Sequence, residues 1–548
     1  MKHILSLLLL AMPVLAGPSV TIIVGPEPKP LEELAAKEVA TTLKQLFEAD
    51  VTISKDNNAN GPTVLIGNPG SNPAIGRLTK WPKLSKQGHL LRKVASGRGY
   101  KLIVGGGSPL ATYWAACELG HFFGMRRLLH ADFPPLKKPA FRLDGVDGTW
   151  EPQFKTRAWR TMGTSPASQV SWSLKEHKLR LKQLAKLKFN HLIIPLQTWQ
   201  PFLPYENARG KRPANKLWRD RELRVDGETA GRAAFGRERV FDNPDFKDAR
   251  TPVQHTEAGV KLVRGIIAEA KRLGMRTTIE VEAPVLSLKQ YRQTFPNADA
   301  VIPFSELVKV EIGNQKGNLL PQFDLKQTHA SLSGLRQKNE DGFAVSCQLV
   351  DDLNTSIFYL SRAGFDSEMT PKRAVDELVT PICGEVSVRI GIGFDHLAKA
   401  SSLINEHNPT IASPREDVIM RHYKSSQATP EWWEEAKGSF AMAMNEMYRA
   451  NTRARGGARE YSLYLAKKFE FALHYFTCIE SLRNAAIARS KMDKDAQLEG
   501  LDQAVEAMHN AMSAVADVDR NNADRGIIAL FNEYGFRPLI RELEKADN

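Results

Sequence analysis

FKTRAWRTMG at 154–163 and LKQLAKLKFNHLIIPL at 181–196 together read as a strand, a helix and a second strand. Arg157 to Gly163 and His191 to Gln197 are the strands, and Leu174 to Lys188 is a basic amphipathic helix between them. His191 to Gln197 is apolar on both faces, the mark of a strand covered on both sides in a parallel sheet. Downstream lie a helix over Glu257 to Leu273 and strands over Arg276 to Ala283, Val301 to Phe304, Phe343 to Val350 and Ser387 to Phe394. Alternation of this kind over about 250 residues predicts an α/β fold, a (β/α)8-like barrel with its function on the loops after the strands. Fewer than eight strands are clear, which leaves an incomplete or distorted barrel open. The polar segment Thr198 to Thr256 is far longer than an ordinary strand-to-helix connection, and insertions of that size tend to carry function.

Upstream, from Ser19, strands over Val20 to Val24, Val51 to Ile53, Thr63 to Gly67 and Tyr100 to Val104 alternate with helices over Pro30 to Glu48 and Pro109 to Gly124. This predicts a small α+β domain. Gly105-Gly106-Gly107-Ser108 lacks the spacing and the Lys-Ser/Thr tail of a phosphate loop and reads as a turn into a capped helix. Pro134-Pro135 and Lys137-Lys138-Pro139 mark the exit. Beyond Pro414 the periodicity is helical only, over Pro430 to Arg449, Arg459 to Ser490 and Ala496 to Val518. The expected division is a leader at 1–16, an α+β accessory domain at 17–140, a barrel and putative catalytic domain at 141–413, and an α-helical domain at 414–548.

The 548 residues are 42% hydrophobic and 25% charged, which excludes disordered, collagen-like and disulfide-scaffold classes. Cys117, Cys347, Cys383 and Cys478 stand singly, without metal spacing. The formal charge of +13 favours an anionic partner. Lys2 and His3, the apolar run Ile4 to Ala11 and the small residue ending Val14-Leu15-Ala16 read as a secretory leader cleaved near Ala16. Gly17, where a lipoprotein needs cysteine, and the lack of any later long apolar run argue against a membrane anchor. A secreted or periplasmic protein meets acidic polysaccharide far more than nucleic acid.

The opening stretches PLEELAAKEVATTLKQL (30–46), TVLIGNPG (63–70) and GYKLIVGGGSPLATYWAACELGHFFGMRRLL (99–129), with the 154–196 run and FYLSRAGFDSEMTPKRAVDELVTPICGE (358–385), resemble secreted glycoside hydrolases of the α-glucuronidase type, families 67 and 115. The likeness to the β-hexosaminidases is more distant. The resemblance implies a non-catalytic α/β domain, a catalytic barrel and a late helical segment, covering about three quarters of the chain in architecture. It aligns no carboxylate here with a family catalytic position, so the residue roles rest on chemistry.

Cleavage of a glycosidic bond needs a carboxylic acid to protonate the leaving oxygen and a carboxylate as base or nucleophile. In Thr278-Ile279-Glu280-Val281-Glu282-Ala283-Pro284 the period of two places Glu280 and Glu282 on one face. Asp351 and Asp352 close a buried strand, where a barrel carries its working groups, although Asp352 or Asn354 could be a helix cap. Those four are the catalytic candidates. Arg157 and Arg160 sit on the first barrel strand and face opposite ways, so one of them is expected to meet a sugar carboxylate. Trp159 on that strand and Gln197, Trp199 and Tyr205 after the next offer hydrogen bonds and stacking, and Asp395 and His396 close the apolar run ending at Phe394. Arg449, Arg453, Arg455 and Arg459 around Gly456-Gly457 could rim a polyanion or form a solvated run.

These readings predict an exo-acting hydrolase of α-linked uronic acid or another acidic sugar, working by two carboxylates without metal or cofactor on an anionic polysaccharide or oligosaccharide. The alternatives are a polysaccharide lyase and a non-catalytic carbohydrate-binding protein on a decayed barrel. The two acidic pairs are expected to line one cleft.

Overall fold

The structure is a computed structural model, and it describes residues 17–548 apart from 57–60, 98, 144, 204–215, 219–221, 227–228, 230, 282–286, 305–308, 312–318, 348 and 408–417. The leader expected at 1–16, Glu282 and Tyr205 therefore lie outside the described residues. The chain divides into two compact units, Met1–Phe123 with Lys138–Thr149, and Gly124–Lys137 with Trp150–Asn548.

The first unit runs β1 (Ser19–Ile23), α1 (Pro30–Phe47), β2 (Asp50–Ser54), β3 (Thr63–Ile66), α2 (Pro73–Leu78), β4 (His89–Ser96), β5 (Gly99–Gly106) and α3 (Pro109–Phe122). The ribbon β6 (Arg126–Arg127) with β7 (Asp132–Phe133) belongs to the second unit, and β8 (Gly148–Trp150) ends the first unit's sheet, whose order is β2-β1-β3-β5-β4-β8. β1, β2, β3 and β5 are parallel, while β4 runs antiparallel to β5. Ile23, Leu65, Ile75, Leu90 and Ile103 form the core of this sheet. Ser108 caps α3 by accepting from the Ala111 amide, as the turn reading predicts.

The second unit opens on β9 (Thr156–Arg160), α4 (Leu174–Lys186), β10 (His191–Leu196), α5 (Pro252–Arg272) and β11 (Arg276–Val281). It continues with α6 (Leu288–Thr294), β12 (Ala300–Pro303), β13 (Lys309–Glu311), α7 (Leu325–Gln337) and β14 (Gly342–Ser346). These six strands are all parallel, in the order β12-β11-β10-β9-β14-β13. Helices cross between successive strands from β9 to β12 and again from β13 to β14, so every strand delivers its C-terminal end to the same edge of the sheet. The sheet fits the parallel alternation read from the sequence. Among the described residues no pairing joins β12 to β13, so the eightfold ring is not closed there.

The remaining chain is helical: α8 (Asn354–Ala363), α9 (Pro371–Cys383), α10 (Ser387–His407), α11 (Met420–Tyr423), α12 (Glu431–Arg453), α13 (Gly457–Ser490), α14 (Lys494–Ala516), α15 (Asn522–Phe531) and α16 (Arg537–Asp547). This corrects one expectation, because Ser387 to Phe394 is not a strand but the start of α10. Val388, Ile390, Ile392 and Phe394 alternate over eight residues, but the positions α10 buries are Ile390, Gly393, Phe394, Leu397, Ala400, Ser401 and Ile404. That spacing is helical, and Val388 and Ile392 face solvent. Gly393 permits the contact with α12, since a Cβ there would come 2.4 Å from Met447 Cε.

Helix α15 seats against the loop after β9 in the same way. A Cβ on Gly526 would lie 2.0 Å from the Pro166 carbonyl oxygen. Gly526→Ala should therefore destabilise the protein by about 1–3 kcal/mol, the usual cost of overpacking. Gly438→Ala, inside α12 where a Cβ meets nothing within 4 Å, should instead stabilise it by about 0.5–1 kcal/mol. Equal thermal midpoints for the two variants would refute this seating of α15.

Candidate active site

At the C-terminal edge of the parallel sheet, two acidic positions follow from the strands. Glu280, one residue before the end of β11, is completely buried and takes a hydrogen bond and ion pair from Arg160, the last residue of β9. β10 lies between those two strands, so the guanidinium crosses one strand to reach its carboxylate. Arg157, three residues earlier on β9, is enclosed, with Nε donating to the Lys188 carbonyl and Nη1 to that of Phe154. The two arginines diverge, as their odd spacing requires.

The second position is a cluster. The chain leaves β14 and makes a short helical turn, Asp351–Leu353, that buries Asp351 and Asp352. Asp351 Oδ2 accepts from Arg180 Nη2 on α4 at 2.6 Å and from Asn521 Nδ2 at 2.9 Å. Asp352 Oδ1 accepts from the Tyr464 hydroxyl of α13 at 2.8 Å, and its Oδ2 lies 3.3 Å from Lys468 Nζ. Lys468, almost wholly enclosed, is also 3.6 Å from Oδ1 of a third buried carboxylate, Asp524. Asp524 Oδ2 accepts from Asn521 Nδ2 and from the Arg520 amide, both at 3.0 Å. Asp351, Asp352, Asp524 and Asn521 line one narrow cleft, with Trp172 and Ile527 among its apolar walls.

Local sequence explains the placement. Asn521 is the N-cap of α15, its Oδ1 accepting from the Ala523 and Asp524 amides and from Trp172 Nε1. Asn522 adds three bonds, from its amide to Glu176 Oε1 and from Nδ2 to the carbonyls of Ser171 and Asp242. The Asn-Asn pair thus pins the start of α15 to the β9–α4 loop and to the long insertion. Gln200 ties that insertion down in turn, its Nε2 donating to the Gly163 and Leu217 carbonyls at 2.8 Å each.

Burial sets the protonation pattern, and the nearby cations split it. For Asp351, burial raises the pKa, but Arg180, with His130, Arg520 and Lys468 farther off, outweighs it and holds the carboxyl below its ordinary value. For Asp352, burial prevails over Lys468 and Tyr464, and the pKa lies above its ordinary value. Burial also dominates at Asp524, with repulsion from Asp351 and Asp352 added, and pushes it up to about 6 against the pull of Lys468. Burial alone would lower Lys468, but Asp352 and Asp524 keep it above the ordinary lysine value and charged. Adjacent carboxyls with pKa values driven apart are the arrangement that acid–base chemistry uses.

The structure thus brings Asp351 and Asp352 together in a cleft and holds Glu280 in a closed pair with Arg160, outside the residues lining that cleft. Trp159 is buried against Gln169, and Gln197 and Trp199 are half-buried after β10. Asp395 and His396 lie on α10, the former exposed, so they do not close a strand. Sequence reasoning missed Arg180, Lys468, Asn521 and Asp524. The signal for the last two was the run Asn521-Asn522-Ala523-Asp524, a helix N-cap followed by an acid in the first turn. Among the described residues no group of His, Cys, Asp and Glu could hold a metal ion, and no helix is long and apolar enough to cross a membrane.

The chain matches no protein-family model and no curated protein. Its similarity is to solved structures. One is a family 138 glycoside hydrolase targeting pectin rhamnogalacturonan II, at a TM-score of 0.50 and 8% identity, covering 97% of this chain and 100% of that one. Another is a family 115 4-O-methyl-α-glucuronidase with specificity for decorated arabinogalactans, at a TM-score of 0.51 and 12% identity, covering 94% of this chain and 79% of that one. At such identities the likeness is one of fold alone.

Proposed function

We propose that the protein is an exported glycoside hydrolase that removes a terminal, α-linked uronic acid or similar acidic sugar from a polysaccharide or oligosaccharide, on a scaffold derived from a (β/α) barrel. The observation that carries this reading is the cleft beside the C-terminal edge of the parallel sheet, where an ionised Asp351 stands beside carboxyls that resist ionisation. A glycosidic bond between such groups meets an acid for its oxygen and a carboxylate for its anomeric carbon. Likeness of fold to glycoside hydrolases agrees with the reading but assigns no residue. The net charge of +13 favours an anionic substrate. Export follows from the leader read at 1–16.

One observation favours the non-catalytic reading. All three carboxyls are nearly enclosed and already hydrogen-bonded, as in a structural network that fastens the helices to the sheet. Turnover separates the two. Asp351→Asn should lower kcat by more than about 10²-fold on an alkyl and an aryl glycoside of the same sugar, with sugar affinity and the circular-dichroism spectrum retained. Wild-type turnover in a folded Asp351→Asn protein would sink the assignment. The parent should also show a higher kcat/KM on an aryl α-uronide than on the matching neutral glycoside, and equal values would remove the acidic-sugar assignment.

A further inference from the structure

We infer that the outer faces of α4, α5 and α6 form a docking surface for a linear anionic polysaccharide, separate from the buried aspartates. The inference goes beyond the hydrolase reading and rests on it only in choosing a sugar polymer among polyanions. The first observation is the spacing of charge on α4. Lys175, Lys178 and Lys182 recur at i, i+3 and i+7, which sets them in one stripe along the helix, and all three are exposed. At about 1.5 Å of rise per residue the stripe is about 10 Å long. The opposite side of the same helix turns inward and buries Arg180, Leu181 and Leu184. Glu176, the one acid of α4, accepts from the Ser173 hydroxyl and the Asn522 amide instead of meeting these lysines.

Neighbouring helices widen the stripe. A Cβ on Gly265 of α5 would come 2.7 Å from Leu174 Cδ2 of α4, and Arg264 Nε of α5 donates to the Thr294 carbonyl of α6 at 2.9 Å, so the three helices lie side by side. α5 adds exposed Lys261, and α6 adds exposed Lys289 and Arg292. Among the described residues none of these six cations has an ion-pair partner. Glu257 is the one exposed acid on the three helices, and Glu269 is held by Arg272. Other helices of the chain pair their surface cations within a turn, as Lys372 with Asp376, Arg373 with Glu377 and Arg449 with Glu446. Exposed acids are gathered elsewhere, with Asp495, Glu499, Asp502 and Glu506 in one stripe of α14. Charge is therefore segregated, not interspersed as on an ordinary solvated surface, and like charges one turn apart repel until an anion lies over them.

The surface itself narrows the choice of occupant. Packed helices lie about 8–10 Å apart, so cations spread over three of them match the repeated charges of a polymer better than one small anion. The three helices expose no aromatic ring, which a single-stranded nucleic acid would use for stacking its bases. The apolar side of α4 is committed to the sheet and leaves Leu179 as its one large exposed apolar side chain, too little for insertion into a lipid surface. Among the lysines, Leu179 instead offers contact to the C–H face of a sugar ring. α4 begins two residues after Trp172, which lines the cleft of the buried aspartates, so a polymer held on the stripe is held close to that cleft.

The test measures binding rather than turnover, using the full chain with polygalacturonate as the anionic polymer and dextran as a neutral one. The parent should bind polygalacturonate and not dextran at low salt, with an affinity that falls as salt rises. Lys175→Gln, Lys178→Gln and Lys182→Gln combined should weaken that binding about 10- to 100-fold at an unchanged thermal midpoint. Arginine at the same three positions keeps the charge and should keep the binding. Lys338→Gln, Lys424→Gln and Lys491→Gln combined, at exposed ends of α7, α11 and α13, change the net charge equally and should cost far less affinity. Absence of binding by the parent, unchanged binding in the α4 variant, or an equal loss in the control would each overturn the inference. Tighter binding to duplex DNA or to anionic phospholipid vesicles would overturn it too, as would self-association at low salt that the α4 variant abolishes, because each names a different occupant. If the parent binds the polymer but cleaves no glycoside, the hydrolase reading falls and the surface stands. If it cleaves glycosides but does not bind the polymer, the reverse holds.

Discussion

One side-chain amide holds the site together. Asn521 accepts from the Trp172 indole on one end and donates to two carboxylates on the other, while capping the helix that follows it. Each bond comes from a different part of the second unit: the β9–α4 loop, the turn after β14, and α15 itself. A buried amide with every hydrogen committed tolerates little displacement, because each lost partner leaves a desolvated polar atom costing about 1–3 kcal/mol. The three segments are thereby fixed against each other at the point where the cleft opens.

Charge imposes the second constraint. Three aspartates share this interior with Arg180 and Lys468, and isolated ions there would be prohibitively costly. Pairing meets part of that cost and retained protons meet the rest, which is why Asp351 is ionised while Asp524 resists ionisation. The Arg160–Glu280 pair is the opposite case. One cation meets one fully buried anion, and the result is a closed link between β9 and β11.

Sequence patterns revealed the parts governed by local periodicity. The strands β9, β10 and β11, the crossover α4 and the long helices α12 to α14 followed from apolar spacing, and Asp351 and Asp352 from their place after a buried strand. The failures have physical causes. Eight residues at the start of α10 alternate like a strand, and only the longer helical period, with Gly393 seated on Met447, shows otherwise. Arg180 and Lys468 carry no local signal of the anions that bury them. Asn521 and Asp524 lie beyond the last helix read from periodicity, and their local signal is only that of a helix cap, since a cap and a ligand of Asp351 are the same residue type. Glu280 was legible as an inward-facing acid, but its partner Arg160 lies 120 positions away.

The contacts of Asn521 also bear on how the cleft comes into being. Its partners Asp351 and Trp172 lie 170 and 349 positions earlier in the chain. Contacts so remote in sequence carry the full entropy of loop closure and reward it only after both ends are in place. The sheet and the helices can begin to organise from nearby contacts, whereas the cleft must wait for α15 to dock. Folding therefore completes at the acidic centre, and a partly folded chain presents the scaffold without its buried aspartates aligned.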